Sequence, residues 1–205
     1  FAPQPGKIFE VYDRIALGGV GHPADVERLR MNLLDMAHLE GFNRSAQDVT
    51  SARLLQFGIA PALKQNFEEI QRAPYIIRML LVELDNEGKT NFFRMNYDGH
   101  WETFKNGTAI AGEEKVMDWL QTEIQKQPFA TYSLDQALKQ ACKLWDESRK
   151  LETDDEAKKD IPETLQEAFD QWYLEGAVLT KKSMRKAIYR PLSKDEVERL
   201  KSSAF

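Results

Sequence analysis

The spacing of apolar residues changes at Pro23, and that change limits the fold more than any compositional figure does. Before it, Lys7-Ile8-Phe9-Glu10-Val11-Tyr12-Asp13 alternates, and Ile15-Ala16-Leu17-Gly18-Gly19-Val20-Gly21 follows as an apolar, small-residue run. Together they predict two strands around a turn at Asp13-Arg14, with glycines where backbones approach closely. After Pro23 the period becomes helical. Val26, Leu29, Leu33, Met36 and Ala37 share one face, and Gly41 is the expected stop. A second helix is expected from Ser45 or Asp48, on Val49, Ala52, Leu55, Ile59, Leu63, Phe67 and Ile70, with Pro61 kinking it or ending it early. Strand chemistry then returns. Tyr75 to Leu84, the turn Asp85-Asn86-Glu87-Gly88, Asn91 to Tyr97, the tight turn Asp98-Gly99 and Trp101 to Phe104 read as antiparallel strands.

Thr108-Ala109-Ile110-Ala111-Gly112 reads as a short strand entering a helix from Glu113 to about Lys126. Ser133-Leu134-Asp135-Gln136 is a capping box opening a helix to about Arg149. Residues 151–163 are charged and poor in large apolar groups, so a solvated loop or frayed helix is expected there. Trp172 to Thr180 and Met184 to Tyr189 predict a closing hairpin around Lys181-Lys182-Ser183. A second capping box, Ser193-Lys194-Asp195-Glu196, starts a terminal helix. Helices in pairs between blocks of strands predict a layered α+β protein, with antiparallel sheets covered by helices. A doubly wound parallel sheet needs strands and helices to alternate singly, and they do not.

Composition narrows the function classes. The chain of 205 residues is 42% apolar and 30% charged, enough for one domain with its own core. A net charge of -5 argues against a nucleic-acid backbone binder. No apolar run reaches membrane-spanning length, and no signal-peptide pattern follows the opening Phe1-Ala2-Pro3-Gln4-Pro5-Gly6. One cysteine, Cys142, excludes an internal disulfide framework and a cysteine-cluster zinc site. A cytoplasmic setting without metal or cofactor is the expectation. His22, His38 and His100 are scattered, with His38 and His100 expected at the surface. Cys142 lies among Leu134, Leu138, Ala141 and Trp145 and reads as a small buried hydrophobe. The acidic pairs Glu68-Glu69, Glu113-Glu114 and Asp154-Asp155 read as solvated surface. Trp101, Trp119, Trp145 and Trp172 read as core or interface anchors. No phosphate loop or nucleophile elbow is present, and no residue is a catalytic candidate.

Longer patterns resemble a known family. Gly6-Lys7-Ile8-Phe9-Glu10-Val11-Tyr12-Asp13 leading into Ala16-Leu17-Gly18-Gly19-Val20-Gly21, with Asp25, Leu29 and Arg30 on the next helix, is similar to the proteasome family. Asp48-Val49-Thr50, Pro74-Tyr75, Phe93-Arg94-Met95-Asn96-Tyr97-Asp98-Gly99, Ala109-Ile110-Ala111-Gly112 and Ser133-Leu134-Asp135-Gln136-Ala137-Leu138 continue the likeness in the same order. The closing segment with Arg185, Tyr189 and Arg190 most resembles bacterial α-type subunits.

The resemblance implies a four-layer αββα sandwich of the Ntn-hydrolase kind, as one domain over residues 1–205 with a charged insertion at about 151–171. It implies a non-catalytic subunit of a homo-oligomeric ring, a heptamer, stacked on β-type subunits, gating access and docking an ATPase activator. Nucleic acid and membrane are not among the expected partners. Lys7 matches the lysine that in α-type subunits receives an activator's C-terminal carboxylate. A lysine on an edge strand also discourages unwanted strand pairing, and the residues alone leave both roles open. Family members carry a hairpin before the Lys-Ile strand. It holds the nucleophilic Thr in catalytic β-type subunits and the gating tail in α-type ones. With that hairpin outside the sequence as written, further chain or a neighbour is expected to cover the sheet. The competing implication is a threonine-type peptidase subunit whose N-terminal amine acts as base.

Overall fold

Asp13 and Arg14 separate strands β1 (Ile8–Tyr12) and β2 (Ile15–Gly21), as their turn chemistry predicts. The computed structural model describes residues 6–71, 73–151, 161–183 and 186–203. Strands β3 (Ile77–Leu84), β4 (Thr90–Met95) and β5 (Trp101–Phe104) complete an antiparallel sheet in the order β1-β2-β3-β4-β5. Its turns use glycine where the backbone demands it: Gly88 and Gly99 have φ of 82° and 84°. Tyr75 and Ile76 fall short of β3, because the Tyr75 amide donates to Asn66 Oδ1 at 2.9 Å on the preceding helix.

Odd-numbered β3 residues set one face of the sheet. Ile77, Met79 and Leu81 pack with Val11, Ile15, Leu17, Phe93 and Met95 against the helices that follow β2. Helix α1 (Pro23–Asn43) is capped by His22, whose Nδ1 accepts from the Ala24 amide at 3.3 Å. It buries Val26, Leu29, Leu33 and Ala37 on that face, the last two with no exposed surface. Each such leucine contributes about 1.5–3 kcal/mol by leaving water. Gly41, the expected stop, instead lies inside α1. A side chain there would collide with the Tyr12 hydroxyl, so the glycine lets β1 and α1 meet.

The second helical stretch also starts later than its apolar spacing suggests. Ser45 and Asp48 bond to each other, Ser45 Oγ donating to Asp48 Oδ2 at 2.9 Å, and close a local turn. Helix α2 (Ser51–Leu54) begins where two acceptors meet its free amides. Thr50 Oγ1 takes the Arg53 amide at 3.3 Å, and the buried Glu83 carboxylate takes the Ser51 amide at 2.8 Å. A π-helical turn, Leu55–Ile59, then widens the ladder just before Pro61, which enters the first turn of α3 (Ala60–Glu68). The ladder thus breaks where a residue without an N–H must be accommodated. Leu54, Leu55, Ile59 and Leu63 join the same core.

The opposite face meets the second half of the chain through Arg78. Its Nη1 donates to Ala111 O at 2.5 Å and to Gly112 O. Thr108–Gly112 is therefore not the expected strand: Arg78 takes two of its carbonyls, and Thr108 Oγ1 donates to Gln121 Oε1 at 2.7 Å. Helix α4 (Glu114–Lys126) and helix α5 (Leu134–Arg149) bury Val116, Leu120, Ile124 and Leu144 in a second cluster. A 3₁₀ turn, Phe129–Thr131, joins them. The Ser133 capping box forms as predicted, with reciprocal bonds of 3.3 and 2.9 Å to Gln136.

Most of the charged stretch after Leu151, including Asp154-Asp155, lies outside the described residues. A short helix α6 (Leu165–Gln171) follows, with a capping box on Thr164. Strands β6 (Ala177–Ser183) and β7 (Lys186–Pro191) pair antiparallel as a second, two-stranded sheet. Its turn does not fall at Lys181-Lys182-Ser183, since Lys181 is still in register with Ala187; Met184 and Arg185 lie outside the described residues. The second capping box opens α7 (Lys194–Ser203), where Ser193 Oγ accepts the Glu196 amide at 3.2 Å. The architecture is the expected α+β arrangement of antiparallel sheets and covering helices.

Candidate functional site

Lys7 stands at the free end of an edge strand, one residue before β1. Its carbonyl accepts from the Gly19 amide at 3.1 Å, which ties it to β2. Its own amide turns outward and donates to Glu175 Oε2 at 2.7 Å. The next amide, of Ile8, donates to the other oxygen, Glu175 Oε1, at 3.2 Å. The Tyr189 hydroxyl completes the contact by donating to the Ile8 carbonyl at 3.2 Å. One carboxylate and one phenol, from two residues before β6 and from β7, thus hold the outer edge of β1.

The surroundings of Lys7 are kept small. Ile8 is opposite Gly18, and Gly19 follows it in β2. A side chain at Gly19 would strike Val26 Cγ1 at 2.7 Å, so that glycine lets α1 sit close to this end of the sheet. Arg30 of α1 covers the Phe9 ring at 5.1 Å and pairs with Glu27 at 2.6 Å. Lys7 itself is exposed, and among the described residues no carboxylate forms an ion pair with its ammonium. Burial, with Glu175 and then Glu10 as negative neighbours, pushes the Tyr189 hydroxyl above its ordinary pKa, so it remains a donor at neutral pH. The site can present one cation on a fixed backbone. Among the described residues it assembles no nucleophile and base.

The remaining singled-out residues take structural places. His22 is a helix cap, while His38 and His100 are at the surface, His38 edge-on to Tyr12 at 5.6 Å between ring centres. Cys142 is half-buried, and burial pushes its thiol up to about 11. Glu68 pairs with Lys64 at 2.6 Å on the surface. Trp145 and Trp172 meet edge-to-face at 5.8 Å, each still more than a third exposed. A groove of about 820 Å³ beside α5 is lined by Tyr132, Lys139, Lys143, Asp146 and Glu163, with no thiol or imidazole among the described residues that line it. Among the described residues no three metal-ligating side chains converge, and no helix is long and apolar enough to cross a membrane.

Sequence reasoning singled out Lys7 and overlooked Glu175. That glutamate is 168 positions away, and nothing local distinguishes it from other surface carboxylates. A lone acidic residue at the entry of an apolar strand, Glu175 before Ala177-Val178-Leu179, is the only trace it leaves.

A five-stranded antiparallel sheet with α1–α3 packed on one face, the loop before α4 bound to Arg78 on the other, and a second ribbon fastened to its edge gives an α+β arrangement consistent with the Ntn-hydrolase-like kind. The model of the family described as Proteasome subunit matches residues 2–161, and the chain belongs to that family. Among curated proteins it is similar to the proteasome subunit alpha of Acidothermus cellulolyticus, 32% identical over 108 residues, covering 52% of this chain and 46% of that one. The proteasome subunit alpha of Streptosporangium roseum is 32% identical over 121 residues, 57% of this chain and 46% of the relative. That of Kineococcus radiotolerans is 27% identical over 139 residues, 66% and 55% respectively. The chain spans about half the length of the curated relatives it matches.

Proposed function

We propose that this chain is a non-catalytic α-type subunit of a bacterial proteasome-like core particle, cytoplasmic, forming a homo-oligomeric, heptameric ring on β-type subunits. In that ring Lys7 receives the C-terminal carboxylate of an ATPase activator. The observation that carries the reading is that the relatives matched are each named proteasome subunit alpha. Lys7 agrees with it: an exposed ammonium on a clamped backbone suits recognition of a carboxylate, which is a charge-assisted contact. Exposed apolar side chains on the α1–α3 layer, Leu39, Phe42 and Phe57, suit an assembled state with large interfaces. Residues 1–205 act in this reading as one domain, with the 151–171 stretch as an insertion.

Lys7→Ala tests it. Activator capture in a pull-down, and activator-stimulated peptide hydrolysis by the assembled particle, are expected to fall while ring assembly seen by electron microscopy persists. Undiminished activator binding by that variant overturns the role of Lys7, and a strictly monomeric protein at high concentration overturns the ring.

A further inference from the structure

We infer that Glu175 and Tyr189 are positioning residues for Lys7, and that they make its end of the sheet receptive to a carboxylate while closing it to strand addition; this rests on the docking role proposed for Lys7. An edge strand ordinarily offers outward N–H and C=O groups to any extended chain. At Ile8 both are occupied: the amide by Glu175 Oε1 and the carbonyl by the Tyr189 hydroxyl. The Lys7 amide is occupied by Glu175 Oε2. A partner therefore cannot register on this end of β1 by backbone pairing. It can meet the ammonium that stands beside it.

The same contacts fix where that ammonium starts from. Two successive amides bound to one carboxylate, with the Lys7 carbonyl held by Gly19, leave the Lys7 backbone little freedom. Charge-assisted bonds of this kind are stronger than neutral ones. The space around the clamp is cut to fit, since a side chain at Gly6 would lie 3.0 Å from Glu175 Oε1. Glu175 lies two residues before β6, so the position of Lys7 depends on the closing hairpin, far away in sequence. Positioning a binding group before the ligand arrives removes an ordering cost from binding.

The test uses the full-length protein, an acetylated apolar peptide with a free C-terminal carboxylate, and the same peptide as carboxamide. Glu175→Ala is expected to speed amide exchange at Lys7 and Ile8 at least tenfold and leave exchange in β3 unchanged. It should also erase most of the preference for the free carboxylate, with Glu175→Gln intermediate and Tyr189→Phe milder. Two results overturn the inference. One is unchanged exchange at residues 7 and 8 in Glu175→Ala. The other is faster exchange with an intact preference that Lys7→Ala abolishes. If Lys7→Ala itself leaves the preference intact, the docking role of Lys7 fails, and with it the receptive half of the inference. The exchange data then decide the clamp alone.

Discussion

Replacing Gly19 by alanine probes how closely α1 is held to the Lys7 end of the sheet. Gly19 is in register with Met79 in the centre of the sheet, and its α-carbon faces Val26, which is 5% exposed. A Cβ at Gly19 would lie 2.7 Å from Val26 Cγ1, 3.2 Å from Cγ2 and 3.6 Å from Cβ. The first contact cannot be relieved by swinging a flexible tip, because a helical valine has one strongly preferred χ1. Either α1 moves or Val26 leaves its rotamer, and overpacking of this kind costs about 1–3 kcal/mol. Val26→Ala removes both offending methyls, losing about 1.6 kcal/mol of burial at about 0.8 per group, plus a cavity contribution. In the double variant only the Cβ contact at 3.6 Å remains, which is ordinary van der Waals distance. The clash vanishes and the new methyl fills part of the cavity. The double variant should therefore be destabilised by no more than Val26→Ala alone, about 2 kcal/mol, where independent effects would add to about 3–5 kcal/mol. Urea unfolding of the four proteins reads this directly, as midpoint shifts at constant slope. A double variant whose loss equals the sum of the single losses within about 0.5 kcal/mol would refute the packing argument.

Two further outcomes follow from perturbed groups. Arg190, through bonds of 2.7 and 2.8 Å, and next the Ser193 amide hold the Glu196 carboxyl at about 2, against an ordinary 4.5. A depressed carboxyl stabilises above the ordinary range, and that contribution is lost as pH falls through about 2. The Glu196 carboxyl carbon should titrate by NMR near 2 and move toward 4.5 in Arg190→Ala; a midpoint near 4.5 in the unaltered protein refutes the pairing. With its thiol raised by burial to about 11 from 9.0, Cys142 should react with iodoacetamide at pH 8 about 100-fold more slowly in the native protein than in urea. Equal rates in the two conditions would refute its burial.

What could be read along the chain was whatever neighbours in sequence settle among themselves. The Gly88 and Gly99 turns and the boxes on Ser133 and Ser193 each complete their hydrogen bonds within a few residues, so their signals are local. The misplacements have the opposite character. Gly41 looked like a helix stop until the Tyr12 hydroxyl, from another element, explained the missing side chain. Helix α2 starts at Ser51 because Glu83, thirty-two positions on, supplies an acceptor there. Thr108–Gly112 has strand-like composition, yet Arg78 takes its carbonyls and leaves no ladder to form. Lys7 divides along the same line. Its motif is local and legible, but the Glu175 and Tyr189 contacts that hold its strand come from the far end of the chain. A candidate docking residue can therefore be read from its own segment, while the contacts that hold its backbone appear only when the fold brings a distant carboxylate to two adjacent amides. Substitutions in the closing hairpin should accordingly be judged by what they do to residues 7 and 8, and not by their own exposure.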